Sequence, residues 1–275
     1  MDDLTAVASN LVRDASGLWF TGQQAQVSYP EGAHAACLQI EEESFWFRHR
    51  NRCITHLVGQ YAIGDVLFDI GGGNGFVSKG LQSEGIDCVL VEPGIAGARA
   101  AQARGVERII CARLEDIEFE PASMASMGLF DVLEHIEDSV AILSHLHRLL
   151  KPGGRLFLTV PAYPFLFSSE DTVAGHFRRY TLSSLRHELD AAGFNLTFGS
   201  YIFAPLPPLI FMLRTVPTWL GLRQGMDTGR EAAEHRPKRA SASLMDSMLD
   251  AEFRRLAKGY AIPFGGSCIC VATKR

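Results

Sequence analysis

The stretch VLFDIGGGNGFVSKGL, Val66 to Leu81, carries an acid, Asp69, and then four glycines, Gly71, Gly72, Gly73 and Gly75, within five positions. A backbone that bare turns sharply and brings its amides close against a ligand. Glu92 closes the next apolar run about twenty residues on, where an acid accepts hydrogen bonds from ribose hydroxyls. Acid, glycine loop and second acid together predict a nucleoside site. A dinucleotide fingerprint needs a third glycine for close helix–strand packing. Counted from Gly71, that position is Phe76, which counts against a nicotinamide cofactor. Asp69 also places negative charge beside the loop, which suits a cationic group better than a pyrophosphate. S-Adenosylmethionine has a ribose and an ammonium but no phosphate, and an acid followed by G-x-G-x-G fits it.

These residues need strands that end beneath them and helices that start beyond them. DVLFDI, DCVLVE, VERIICA, SMGLF and RLFLTVP read as strands, and GFVSKGLQSEG and IAGARAAQARG as helices. EDSVAILSHLHRLLKPGG is an amphipathic helix, with Val140, Leu143, Leu146 and Leu150 on one stripe and Pro152-Gly153 as its stop. Thr181 caps TLSSLRHELDAAGF, and Gly193 ends it. Strands spaced by single helices predict a parallel sheet covered on both faces, a doubly wound α/β domain. The expected division is an N-terminal extension or cap over residues 1–55 and a main domain over 56–275. An insertion, about 203–262, precedes the closing strand SCICVATK.

In order along the chain, FDIGGGNG, VEP, RLEDIEF, FDVLEHIED and LLKPGGRLFLTVPA resemble the motifs of the class I S-adenosylmethionine-dependent methyltransferases. The resemblance covers about residues 45–200. It implies a Rossmann-like, seven-stranded, mostly parallel sheet, with GGSCICVATKR as an antiparallel last strand and a helical N-terminal cap. It implies S-adenosyl-L-methionine as methyl donor and S-adenosyl-L-homocysteine as product. Asp69, Gly71, Gly72, Gly73 and Gly75 would hold the methionine moiety, Glu92 and Pro93 the ribose, and the main chain near Leu114 the adenine. Arg113 stands where many relatives have an Asp. Phe130 belongs to the fourth-strand motif. ESFWFRHRNR…GHFRRYTLSSLRHELDAAGF resembles a bacterial small-molecule-type subgroup. There the arginine matching Arg50 partners the cofactor carboxylate through a charge-assisted fork. A solvated helix charge is the competing account of Arg50.

On the acceptor side, His135 follows the fourth strand and His176 the fifth, and either could serve as a base if the acceptor must lose a proton. Asp131, Glu134 and His135 form D-x-x-E-H, similar to a cluster that holds a divalent metal in a few relatives. No second histidine is obviously placed to complete such a site, so no metal is expected. Arg178 is a candidate for an anionic acceptor and Trp46 for an aromatic pocket wall. The competing accounts are an arginine paired with Glu170 or Asp171, and a packed helix face. The apolar segment Tyr201–Leu222 is too interrupted by prolines and Arg214 to span a membrane. Core, acceptor lid and membrane-surface contact are its three readings.

With 275 residues, 47% of them apolar, and a net charge of −5, the chain has nothing that draws nucleic acid by bulk charge. Six scattered cysteines without a C-x-x-C pair, and an N-terminus without a secretory pattern, predict a reduced, cytoplasmic protein. The function read here is methyl transfer to a small organic acceptor, hydrophobic or anionic, at oxygen or nitrogen. A catalytically silent cofactor-binding partner protein is the alternative, with a nicotinamide-dependent oxidoreductase behind it.

Overall fold

The computed structural model describes residues 4–22, 41, 44–64, 66–220 and 239–275. Nine strands among them make one sheet. They are β1 (Leu11–Arg13), β2 (Trp19–Thr21), β3 (Val66–Ile70), β4 (Asp87–Val91), β5 (Ile109–Cys111), β6 (Met124–Phe130), β7 (Leu150–Pro161), β8 (Phe194–Ile202) and β9 (Ser267–Lys274). Their spatial order is β1-β2-β5-β4-β3-β6-β7-β9-β8. β2 to β7 run parallel to their neighbours in the central sheet, and β9 runs antiparallel between β7 and β8. The chain steps outward from β3 through β4 to β5, then returns to lay β6 on the other side of β3. That reversal opens a crevice at the carboxyl ends of β3 and β6, where ligands of such sheets sit.

The expected α/β architecture is present, with two strands more than the seven anticipated. The extra pair comes from the N-terminal extension. β1 and β2 form an antiparallel hairpin that docks β2 alongside β5 and buries Trp19. Runs of three residues carry too little alternation to announce themselves as strands.

The helices are α1 (Phe45–Tyr61), α2 (Phe76–Ser83), α3 (Ile95–Ala103), α4 (Ser139–Leu149), α5 (Ser169–Ala174) and α6 (Leu182–Ala191). Beyond β8 follow α7 (Leu206–Ile210), a π-helical turn (Phe211–Thr215), α8 (Val216–Trp219) and finally α9 (Arg239–Ala257). Ser44 caps α1 by accepting from the Trp46 amide, and Arg50, Cys53, Ile54, Leu57 and Val58 make its buried stripe. α1 runs across position 55, so the extension and the main domain share a helix. Successive β3 residues face opposite layers. Leu67 packs with α1 and α9, whereas Phe68 and Ile70 pack with α4 and α6.

The start of the insertion, Leu206–Trp219, lies at the same edge of the sheet as the glycine loop. The α7–α8 stretch packs on Pro164–Leu166 and α5, which follow the carboxyl end of β7, and the Thr215 hydroxyl donates to the Leu166 carbonyl at 3.2 Å. α9 packs on α1. Most of the charged loop Arg223–Arg239, residues 223–238, lies outside the described residues. No helix among the described residues is long and apolar enough to cross a membrane. Cys53, Cys88, Cys111, Cys268 and Cys270 are free and buried, and Cys37 lies outside the described residues.

One buried carboxylate ties the insertion to the sheet and to α1. Glu252 of α9 accepts from the Phe203 and Ala204 amides, both at 2.6 Å, and lies 2.8 Å from His49 Nε2. Phe203 holds a left-handed φ of +64°, a conformation that costs an L-residue about 1–2 kcal/mol. Glu252 offsets that strain by satisfying two amides that face away from water. Glu252→Ala leaves both amides without their acceptor and His49 Nε2 with only Cys53 Sγ, at 3.6 Å, beside it. It is expected to lower stability by about 3 kcal/mol in urea denaturation, with an unchanged denaturant slope.

Candidate active site

The glycine loop leaves β3 at Ile70 and enters α2 at Phe76. Gly71, Gly73 and Gly75 take φ values of +74°, +55° and +70°, which side-chain-bearing residues resist. Gly72 serves close approach instead, since a Cβ there would stand 2.2 Å from Leu90 Cδ1 and 2.6 Å from Asp69 Oδ2. A Cβ at Gly73 would meet nothing within 4 Å, so this part of the loop borders open space.

Glu92, at the end of β4, accepts from the Gly73 amide at 2.9 Å and from the Gly94 amide at 2.7 Å. It thereby ties the loop to the neighbouring strand end. Carboxylate oxygens accept more than one hydrogen bond, so the same group suits a ribose diol. Pro93 stands next to it, half-buried, and Leu114 is buried beyond the end of β5.

Asp69 is buried beneath the loop. Ser78 donates to its Oδ2 at 2.6 Å, and its Oδ1 has no partner among the described residues. Burial pushes the Asp69 carboxyl up to about 6, against the opposing pull of Ser78 and Arg50. A buried carboxylate with one bare oxygen fits a cationic ligand group. Phe76 packs edge-on against Phe47 at 6.0 Å and lies under the Arg104 guanidinium at 5.1 Å. A bulky, packed residue thus fills the place of the third fingerprint glycine. Arg104 pairs with Glu41 at 2.7 Å, and Asn74 of the loop reaches the same acid. The sequence reading missed this Glu41–Arg104 clasp, which joins residues 63 positions apart.

Arg50 points inward rather than to solvent. It pairs with Asp131 and stacks over Trp46 at 4.7 Å and Phe47 at 5.5 Å, and its Nε has no partner among the described residues. Burial draws its pKa down to about 10, although Glu134, Glu41 and Asp69 all favour its charge. Asp131 holds a φ of +58° just past β6, whose last residue, Phe130, is buried. Trp46 stacks face to face on Phe203 at 5.4 Å.

At the carboxyl ends of β6 and β7 the structure brings His135 and His176 together, with ring centroids 4.7 Å apart and planes at 84°. His176 Nδ1 lies 2.8 Å from Asp171 Oδ1. Arg179 forks the same carboxylate at 2.8 and 2.9 Å. Burial would raise Asp171, but the hydrogen bonds from His176 and Arg179 hold it down to about 2. Burial and the neighbouring His176 push His135 down to about 4. Glu134 is buried with a bare Oε2, and its burial raises it to about 8. One ligand atom each from Glu134, His135 and His176 lie within 4.8 Å of one another. His176 is therefore the second histidine that spacing along the chain did not place. Arg178 turns aside, donating to the Glu137 carbonyl and to Ser139 Oγ. Tyr180 is buried.

A glycine loop at the switch point, an acid on either side of it and a histidine pair at the same edge of the sheet define a nucleoside-binding transferase of Rossmann-like form. A family model described as a methyltransferase domain matches residues 45–197, and the chain belongs to that family, the class I S-adenosylmethionine-dependent methyltransferases. Among curated relatives, a ubiquinone biosynthesis O-methyltransferase of Pseudomonas paraeruginosa is 29% identical over 102 residues, 35% of this chain and 44% of that protein. One from Xylella fastidiosa is 31% identical over 99 residues, 34% and 40% of the two chains. The matched stretch spans less than half the length of these relatives. The fold resembles that of Haemonchus contortus phosphoethanolamine N-methyltransferase 2, with a TM-score of 0.57 at 20% identity over 90% of this chain and 58% of that one. A possible histamine N-methyltransferase from Thermotoga maritima gives 0.56 at 16% identity, over 90% of this chain and all of the other.

Asp69 gives the site a pH dependence of defined sign. Its folded-state value, about 6, lies above the ordinary 3.8. Ionising it therefore costs the ligand-free fold stability, a cost absent below 3.8 and fully present above about 6. A ligand ammonium removes that cost by binding the ionised form. S-Adenosylhomocysteine affinity is expected to rise as pH increases through about 6. Calorimetry at several pH values checks this, and Asp69→Asn should both weaken binding and flatten the profile.

Proposed function

We propose that the protein transfers the methyl group of S-adenosylmethionine to a small organic acceptor, at oxygen or nitrogen. The observation that carries the reading is the placement of Asp69, the open Gly73 and Glu92 at one edge of the sheet, with the His135–His176 pair at the same edge. Bound there, the cofactor supplies an electrophilic sulfonium methyl. Asp69 holds its ammonium, Glu92 its ribose, and the main chain near Leu114 lies by its adenine. Arg50, fixed by Asp131, has an unpartnered Nε for the carboxylate end.

His176 acts on the acceptor through its Nε2. Asp171, forked by Arg179, is an acceptor only, so it accepts a hydrogen bond from the protonated Nδ1, which leaves Nε2 bare. His135 stands against it at the same edge. Holding acceptor and methyl about 3–3.5 Å apart supplies much of the acceleration, and the histidine pair assists loss of the acceptor's proton.

In this reading the acceptor lies beside an aromatic cluster that forms where β7 and β8 end. Tyr163 stacks on Tyr201 at 5.0 Å and approaches Phe264 at 5.2 Å, and Phe165 approaches Phe211 at 6.1 Å. That cluster favours a hydrophobic acceptor. In this reading the insertion is a lid that excludes water from the sulfonium. The O-methyltransferase relatives favour oxygen as the attacked atom. A nicotinamide cofactor is disfavoured by Phe76, and bulk binding of nucleic acid by the net charge of −5.

Glu92→Ala removes hydrogen bonds to a charged acceptor, each worth about 1.5–3 kcal/mol. It should weaken S-adenosylhomocysteine binding about tenfold or more. Wild-type protein should show no heat of binding with NAD, and tight NAD binding would overturn the cofactor assignment.

His135→Ala and His176→Ala should retain S-adenosylhomocysteine affinity. If proton loss is assisted there, at least one of them should lose about 10²-fold in turnover. A panel of phenolic and amine acceptors, assayed by thioether release, supplies the readout. Normal turnover in both variants would mean that transfer relies on positioning alone.

A further inference from the structure

We infer that Phe203, where the insertion begins, and Glu252, on its last helix, position Arg50 for the carboxylate end of S-adenosylmethionine, acting through the indole of Trp46. The inference rests on the methyl-transfer reading, in which the Arg50 guanidinium holds that carboxylate. It adds that residues of the insertion, remote in sequence, set where the guanidinium stands.

Arg50 pairs with Asp131, and its Cζ lies 4.7 Å from the centre of the Trp46 ring. A cation over an indole face is held electrostatically, more strongly where water is excluded. The hold is only as firm as the indole itself. Trp46 is the second residue of α1, so no preceding turn of its own helix lies beneath its ring. The ring stacks instead on Phe203, with centroids 5.4 Å apart and planes 5° from parallel. Phe47 meets it edge-on at 4.9 Å. Glu252, Phe203, Trp46 and Arg50 thus form a path in which each group touches the next.

The backbone at Phe203 shows what the ring is for. Its φ of +64° is one that glycine adopts freely and that strains an L-residue. What phenylalanine adds there is a fully buried ring. Such strain persists only where the surroundings over-determine it, and here they act from several sides. Glu252 accepts from the Phe203 and Ala204 amides, the Gly266 amide donates to the Phe203 carbonyl at 3.1 Å, and the His49 ring meets the Phe203 ring at 5.2 Å. Phe203 is therefore a fixed platform under the indole. Ordinary core packing would also bury this ring, but its loss acts on stability. A displaced guanidinium acts on one end of one ligand.

Calorimetry on the full chain compares S-adenosylhomocysteine with methylthioadenosine, which keeps the nucleoside and the thioether sulfur but has no amino acid end. Arg50→Gln should weaken the first about tenfold or more and leave the second unchanged. Phe203→Leu keeps a bulky apolar side chain and loses the flat face. It should weaken S-adenosylhomocysteine about three- to tenfold, with methylthioadenosine again unchanged. Glu252→Gln should shift the same ratio in the same direction. In an Arg50→Gln background, Phe203→Leu should have no further effect on either ligand, because it acts through the guanidinium. Should Phe203→Leu fail to fold, Trp46→Leu decides, because that side chain is only half-buried. A folded variant that binds both ligands as wild type does, or loses both equally, overturns the inference, and a selective loss in Arg50→Gln then leaves the carboxylate reading standing. If Arg50→Gln itself binds both ligands as wild type does, the carboxylate reading falls and takes the inference with it.

Discussion

Arg50 is a guanidinium almost wholly withdrawn from water, and the crevice is organised around it. Asp131 pairs with it directly, and Glu134, Glu41 and Asp69 add their fields. A buried charge of that kind persists only where opposite charge surrounds it. The four acids come from four different places: the segment before α1, the end of β3, and two positions after β6. Meeting them requires α1 to begin at the carboxyl edge of the sheet before it runs down one face. The aromatic stack of Trp46 and Phe47 over Arg50, and of Trp46 on Phe203, then follows from where α1 lies.

A second centre works by the same economy of charge. Asp171 caps α5 through the Ser168 amide, receives the Arg179 fork and orients His176. One carboxylate thus sets a helix start, the return of the chain toward α6 and the direction of an imidazole. Glu134, close by, is left with an oxygen that nothing donates to.

The glycine loop shows how much of a site can be read without coordinates. Asp69, the four glycines and Glu92 lie within one β-α-β unit, so their relation is set by strand length and turn geometry, and local pattern is enough to place them. Phe76 is legible in the same way, because a side chain at that position must pack outward, as it does on Phe47. That Arg50 turns inward was not legible from spacing, which equally allows a solvated helix charge. Arg178 and Arg179 could not be ranked from sequence, and it is Arg179 that engages Asp171 while Arg178 turns to Glu137 and Ser139. The β1–β2 hairpin escaped because three-residue strands owe their existence to the edge they dock on.

The sequence by itself determined the doubly wound sheet, its switch point and the glycine-loop half of the crevice. Those depend on hydrophobic periodicity and on glycine's freedom, both local properties of the chain. Only the tertiary structure decided the other half. It brought His135 to His176 across 4.7 Å and set Glu252 of the insertion against His49 and the strained turn at Phe203. Those partners are far apart along the chain, and no local preference requires them to meet. They meet because polar groups taken out of water must find partners, and only the folded arrangement of strands and helices limits which are within reach.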